Sequence, residues 1–476
     1  MTAMRRRPIG RSGKGADIRM EEFIRNITEQ IRCVRAREAV AKELSDHILD
    51  QAAAYEEKGE EHETALGLAI REMGDPVAIG VELDRIHRPQ TDVKMIVMVL
   101  LFSIGGMLIQ YMAGGYELFG GTNDSSIYLS HLGRQILILF LSFGVMMGMY
   151  FLDYGFIGRY ASTIYWVMTL GLFVLRMIGR EVNGRHPVML MLVYLYIPVY
   201  AGMLYQLRGK GGSAIVRGMI LQVLTTCFAY YLSSILHAAL AVYLIQMVLL
   251  ILAICKGWFQ VNKRDAVIFV VTVLAVIPLA VCLFLLITGS ETALSYRLQR
   301  IQAWLHPEED IYGSGYTYIW IRQGLAKAKL IGTYQGFPFD DEIVWGIPRT
   351  DPFILLQIIF SFGILAGFLV IAAFAALIIH VFGIVKRQKN QLGFMIAAGC
   401  FMVVLDNCVE GILINSGYYP VTSLQLPFLS FGVGSTITYA ILIGLLLSIY
   451  RNEKIITDYT VTRTPSWRLS VRWEKK

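Results

Sequence analysis

Thr350-Asp351-Pro352 stands directly before a long apolar run that begins at Phe353. A carboxylate at the rim of a membrane helix has two uses. Followed by proline, it is a favoured N-cap and N1 pair worth about 1 kcal/mol. It can also be the group around which a chemical site is built, for instance as a general base, which must come within about 3 Å of the proton it takes. Arg297, Arg300, Arg322, Lys327, Lys329 and Arg349 are the nearby cations that could stabilise anionic charge developing at such a site. A divalent metal, Mg2+ or Mn2+, held partly by Asp351 is the alternative source of that stabilisation. Asp340, Asp341 and Glu342 form a second acidic cluster whose default reading is solvent exposure.

A separate pair lies inside an apolar stretch. Asp406 and Glu410 are four apart, hence on one helix face, with Asn407 beside them. An ionisable side chain within a membrane segment is a functional hypothesis by default. These two either line a polar cavity or pair with Arg176 or Arg180.

The elements that must position these groups follow from composition. The chain has 476 residues, 55% of them hydrophobic and 17% charged, with mean hydropathy +0.53, which points to an all-α polytopic membrane protein. At about 20 apolar residues per crossing, about ten spans are expected. They fall near 93–114, 131–152, 159–180, 186–206, 218–236, 238–255, 266–288, 353–383, 393–415 and 430–450. The fifth and sixth share so short a hinge, at Ser233, Ser234 and His237, that a re-entrant hairpin is an alternative there. Basic residues cluster after the fourth, sixth, eighth and tenth spans, whereas 115–130 and 416–429 carry no Lys or Arg. By the positive-inside rule both termini are cytoplasmic and the 289–350 loop faces outward. The net charge of +7 reflects that asymmetry, so no nucleic-acid partner is expected. Six cysteines without a CxxC pair, none paired in an outward loop, give no disulfide framework.

Ahead of the spans, residues 1–19 are basic and read as disordered, without the apolar core of a signal peptide. Residues 20–90 are charged with apolar positions at helical spacing. Phe23, Ile24, Ile27 and Ile31 make one stripe, Leu44, Ile48 and Leu49 a second, and Ala65, Leu66, Ala69, Ile70 and Met73 a third that stops at Gly74-Asp75-Pro76. A three-helix unit is expected, with a fourth short helix near 77–87. Its "ELSDHILD", "EEKG" and "AIREMGDP" resemble the HAAS-type helical prefix found ahead of various bacterial membrane proteins, which implies a regulatory partner in the cytoplasm. His47 between Asp46 and Asp50 reads as part of a solvated face. Residues 456–476 form a basic tail with Trp467 and Trp473 among arginines, suited either to an anionic inner leaflet or to a disordered, solvated tail.

The long 289–350 loop is too aromatic for a solvated linker, with Trp304, Tyr312, Tyr316, Tyr318, Trp320, Tyr334 and Trp345 among others. Within it Arg297, Arg300, Trp304, Pro307 and Tyr312-Gly313-Ser314-Gly315-Tyr316 resemble the "R..R...FL.P..DPYGSGYQ" segment of the SEDS proteins (shape, elongation, division and sporulation: FtsW, RodA and SpoVE). Pro348 and Thr350-Asp351 fall where that family has "LPE.HTDFIF". "GYYPVTSLQLPFLSFGVGS" is similar to its "G..P..G..LP..SYGGS", with Gly417, Pro420, Leu426, Pro427, Ser430, Phe431, Gly432 and Ser435 in register.

The resemblance covers 91–455 and implies a peptidoglycan glycosyltransferase that polymerises lipid II on the outer face of the cytoplasmic membrane, paired with a class B penicillin-binding protein. Asp351 then inherits the catalytic place. Arg297, Arg300, Tyr312, Gly313, Gly315, Tyr316, Thr350, Pro427, Ser430 and Gly432 inherit contacts to substrate. The departures are equally specific. The family's "EELG" is Phe360 to Gly363 here, "PE.H" is reduced to Pro348-Arg349, and Val433 separates Gly432 from Gly434. They raise a second reading, a SEDS-derived scaffold that recruits a transpeptidase without catalysis. A lipid-linked substrate transporter ranks last, because no internal repeat is visible.

Overall fold

The computed structural model of the chain describes residues 14–114, 125–179, 186–288, 299–311, 313–333, 353–422, 426–430 and 432–453. Its described residues form helices and turns, with no strand among them. They divide into two units, one built on residues up to 91 and one from Asp92 onward.

The first unit has four helices: α1 (Lys14–Gln30), α2 (Val34–Glu56), α3 (His62–Met73) and α4 (Pro76–Ile86). Ile24, Ile27, Ile31, Leu44, Ile48, Ala65, Leu66 and Ala69 form its core, as the three stripes require. Leu49 is the exception, 42% exposed beside the buried Ile48. Gly74 ends α3 at φ +91, which a residue with a Cβ rarely adopts. Asp75 then caps α4, accepting from the amides of Val77 and Ala78, with Pro76 at the first helical position. His47, Asp46 and Asp50 are exposed on α2.

The second unit carries α5 (Val93–Gly114), α6 (Ser125–Phe151), α7 (Gly155–Ile178), α8 (Pro187–Leu192), a 3-10 turn and α9 (Tyr196–Gln206), then α10 (Gly212–Ser233), α11 (Leu236–Cys255) and α12 (Lys263–Thr288). After these come α13 (299–305), α14 (Tyr316–Lys327), α15 (Ile354–Phe362), α16 (Ile364–Arg387), α17 (Gln391–Asn415) and α18 (Val433–Arg451). Eight segments among the described residues are long and apolar enough to cross a membrane, α8 and α9 counting as one; α5 has a shorter such stretch, Val93–Ile109. With the 26 residues of α12, a helix stands at each expected span. The 22-residue α10 and 20-residue α11 are each long and apolar enough for a crossing, which favours two full spans over a re-entrant hairpin.

The eighth span is shorter than expected. The run from 353 breaks at Gly363, φ +100, into α15 and the separate span α16. A Cβ at Gly363 would stand 2.6 Å from the carbonyl oxygen of Leu330. Main-chain bonds from Ile364 to Lys329 (2.9 Å), Leu365 to Leu330 (3.1 Å) and Gly332 to Phe362 (3.1 Å) tie segment 329–332 across the break.

α9 sits at the centre, nearly every residue of it buried, packed against α7, α11 and α17. Phenols provide polar ties between these helices. Tyr196 donates to Thr169 (3.0 Å), Tyr200 to the Gly218 carbonyl (3.0 Å) and Tyr243 to that of Leu274 (2.5 Å). Between apolar helices in lipid such bonds supply the cohesion that apolar burial cannot. At one end of the unit Asp92 caps α5 through the Met95 amide (3.1 Å) and meets His380 Nε2 of α16 (2.6 Å).

Candidate functional site

The second unit gathers the sequence motifs at the opposite end from Asp92. α13 leads into a turn at Pro307–Asp310 and then α14. Asp310 accepts from the Ser314 amide (2.7 Å) and hydroxyl (2.9 Å), so the Gly-Ser-Gly motif is a folded-back turn. Those two donors hold the Asp310 carboxyl below the usual carboxylate range, against a smaller desolvation effect. A Cβ on Gly315 would overlap the Pro307 carbonyl and stand 2.8 Å from that of Asp310, so glycine is the residue that fits there. Tyr316 opens α14, and burial pushes its phenol up.

The turn presents α14 to the loop after α17. Arg322 donates from Nε to the Gly417 carbonyl (3.2 Å) and from Nη2 to that of Trp304 (3.3 Å), and lies over the Tyr418 ring at 5.0 Å. Arg300 donates to the Val421 carbonyl (2.8 Å), while the Val421 amide donates to the Tyr318 hydroxyl (3.0 Å). The two sequence motifs, about a hundred residues apart, therefore meet through side chains on one and backbone on the other. α15 closes the floor: Phe360 packs edge-on against Trp320 and against Gly324, and the Leu356 amide donates to Asn415 Oδ1 (2.9 Å).

α15 has Phe353 at its cap position and no side-chain cap bond. Asp351 itself lies outside the described residues, as do Thr350, Tyr312, Arg297 and the Asp340–Glu342 cluster. Pro427 and Ser430 are buried, Ser430 at 2% exposure. Gly432 accepts through its carbonyl from the Thr436 amide (2.9 Å) and Ser435 hydroxyl (2.8 Å), starting α18.

Of the two alternatives for the α17 carboxylates, pairing with Arg176 is not seen, and Arg180 lies outside the described residues. Arg176 turns to the end of α10 instead, donating to Leu232 (2.9 Å) and Ser234 (3.3 Å) and stacking on Tyr231. Glu410 accepts from the Tyr419 hydroxyl (2.8 Å) and has His237 Nε2 of α11 at 3.8 Å. Burial first, then the bond to Glu410, pushes the Tyr419 phenol well up. Asp406 Oδ2 has no hydrogen-bond partner among the described residues. Tyr194 and Tyr439, both fully buried, lie within electrostatic reach of the pair. Among the described residues no three His, Cys, Asp or Glu side chains group as a metal site. Tyr419 and Asn415 escaped the sequence reading, and Tyr318 entered it only as one aromatic of the loop, since a tyrosine or asparagine that bonds a distant segment carries no local pattern.

The family model of the FtsW, RodA and SpoVE cell cycle proteins matches residues 92–455. The chain belongs to this family. It is thus a multi-pass membrane protein of the SEDS class, and the match starts where the helical head ends. Over 160 residues it is 30% identical to stage V sporulation protein E of Bacillus subtilis, covering 33% of this chain and 43% of that protein. Over 162 residues it is 25% identical to the peptidoglycan glycosyltransferase MrdB of Escherichia coli K12, covering 34% and 44%. Aligned stretches thus span less than half the length of these relatives. A solved chain from a peptidoglycan synthase complex, 20% identical, covers 76% of this SEDS protein and 98% of its own length at a TM-score of 0.56, so the fold is shared.

Proposed function

We propose that this chain is a peptidoglycan glycosyltransferase that polymerises lipid II on the outer face of the cytoplasmic membrane. The observation that carries the reading is the family match over 92–455, with two family motifs folded against each other through Arg300, Arg322 and Tyr318. In this reading Asp351 is the base for the acceptor hydroxyl, or a carboxylate that shares a divalent cation. Arg297 and the remaining donors of Arg300 orient the diphosphate, the fork of a guanidinium matching phosphate oxygens. Tyr312, Gly313, Gly315, Tyr316 and Thr350 border the sugar. Pro427, Ser430 and Gly432 act by fixing the start of α18 beside the path of the lipid. Both termini are cytoplasmic, the partner outside is a class B penicillin-binding protein, and the helical head meets a cytoplasmic regulator.

The test is glycan-chain formation from purified lipid II by the intact protein and by Asp351→Asn, each with and without the transpeptidase. Polymer from the first and a loss of at least a hundredfold in the second, with unchanged thermal unfolding, is the expected result. A second reading, the scaffold without catalysis, is favoured by one observation. Where the family has two acids this chain has Phe360, which packs against Trp320 and Gly324, and Ser361, whose carbonyl accepts from the Thr333 hydroxyl (3.1 Å). Absence of polymer in every pairing, with the transpeptidase still bound, selects the scaffold.

A further inference from the structure

At the end of the second unit that carries Asp92, three interhelical connections converge: 206–212 after α9, 256–262 after α11 and 388–391 before α17. Gly209 donates its amide to the Trp258 carbonyl (2.8 Å), Arg208 donates to Gln391 Oε1 (3.0 Å), and Lys256 lies 4.2 Å from the Phe394 ring centre. Between them is a cavity of about 220 Å³ lined by Arg208, Gly209, Lys256, Gly257, Trp258, Gln260 and Gln391. That is far more than the ~15 Å³ one water needs.

Its chemistry is one-sided. The lining holds two cations and no carboxylate. Gln391 spends its oxygen on Arg208, which leaves its amide N–H groups as donors. Trp258, only 3% exposed, has an indole N–H with no hydrogen-bond partner among the described residues. Arg208 and Lys256 each follow a helix C-terminus, where a cation complements the helix dipole. That simpler account leaves the buried indole N–H unexplained, and an unsatisfied buried donor costs about 1–3 kcal/mol. The start of α17 at Gln391 adds the positive end of a third helix dipole to the lining. Donors arriving from three connections suit a tetrahedral oxyanion better than a planar carboxylate.

We infer that the Arg208–Lys256–Trp258 cavity is a binding site for a phosphate ester, distinct from the Arg300–Arg322 site at the other end of the bundle. Basic pockets between membrane helices on the cytoplasmic side bind anionic headgroups, and a soluble phosphate offers the same oxygens. The site serves occupancy-dependent stability of the bundle, because it joins α9, α11 and α17 by their ends.

The experiment is thermal unfolding of the full-length protein in mixed micelles with phosphatidylcholine, titrated with phosphatidylglycerol in one arm and with inorganic phosphate in the other. A saturable rise in unfolding temperature is expected. Lys256→Gln and Trp258→Phe should each weaken the apparent affinity about tenfold or more, one bond to a charged group being worth at least that factor. Trp258→Phe keeps the ring and the backbone bond to Gly209, so it reports on the N–H even if Lys256→Gln fails to fold. Lys389→Gln, an exposed lysine of the same face outside the cavity, should leave affinity unchanged. A rise with the lipid alone assigns the headgroup, and a rise with both or with phosphate alone assigns the soluble anion; either supports the site. No saturable rise in either arm, or the same affinity in Lys256→Gln and Trp258→Phe as in the intact chain, overturns it.

Discussion

Asp310 shows how a single carboxylate can build a motif without touching a substrate. Its folded pKa lies below the usual carboxylate range because Ser314 donates twice to it. A depressed carboxylate contributes stability that is complete above the unfolded pKa and is lost as pH falls through the folded one. Protease cleavage within 307–316 should therefore accelerate only as pH drops below about 4, and Asp310→Asn should show the fast rate already at neutral pH. A rate flat from pH 6 to 3 in the intact chain would show that these bonds do not hold the turn. Glu410 poses a different case, with one phenol donor and an imidazole near it. Tyr419→Phe removes the donor and leaves the shape. A loss of about 1 kcal/mol is expected, read as a lowered unfolding temperature. The double variant with Glu410→Gln should lose less than the sum of the singles, as coupled partners do.

At the level of elements, the break at Gly363 is the most demanding feature. Its φ of +100 and the approach of the Leu330 oxygen act together. Gly363→Ala should cost about 2–5 kcal/mol from left-handed strain and overpacking combined. Gly105→Ala, a helical glycine with open space around its would-be Cβ, should be neutral or slightly stabilising. Paired unfolding measurements check both. This same element marks where sequence reading stopped. Hydropathy located every span, since a bilayer demands the same length of apolar helix wherever it is crossed. It could not divide 353–383, because both helices there are apolar and only a distant backbone segment, 329–332, makes the break. The motifs around Arg300 and Gly417 were legible as motifs. Their contact was not, since Arg322 and Tyr318 seek carbonyl and amide groups that every residue possesses. Between the open alternatives for Asp406 and Glu410 the sequence could not choose for a related reason: helix-end carbonyls of α10, which hold Arg176, are invisible in a sequence.

For the whole molecule, the orientation proposed above has a direct test in single cysteines. Cys33 in the head and a cysteine introduced at exposed His306 should respond oppositely to a membrane-impermeant thiol reagent, with the other cysteines replaced. His306→Cys should label in intact cells and Cys33 only after permeabilisation. The reverse pattern would place the Arg300–Arg322 site inside the cell and end its assignment to lipid II chemistry. The Arg208–Lys256–Trp258 cavity would then face outward, away from the anionic leaflet.

The clamp on the 417–422 loop also has a history within each molecule. Arg300 and Val421 are separated by 121 residues. At about 5–20 residues per second of synthesis, roughly 6–24 s pass between the making of the arginine and of the carbonyl it holds. During that interval the earlier spans are already made while the guanidinium groups of Arg300 and Arg322 wait without their loop. A nascent chain halted before Gly417 would carry every earlier span yet lack the carbonyls of Gly417 and Val421, leaving Arg322 its bond to Trp304 and Arg300 without its loop partner. Ribosome pausing in the α16–α17 region would therefore lengthen the life of a species in which the 417–422 loop partners of both arginines are missing.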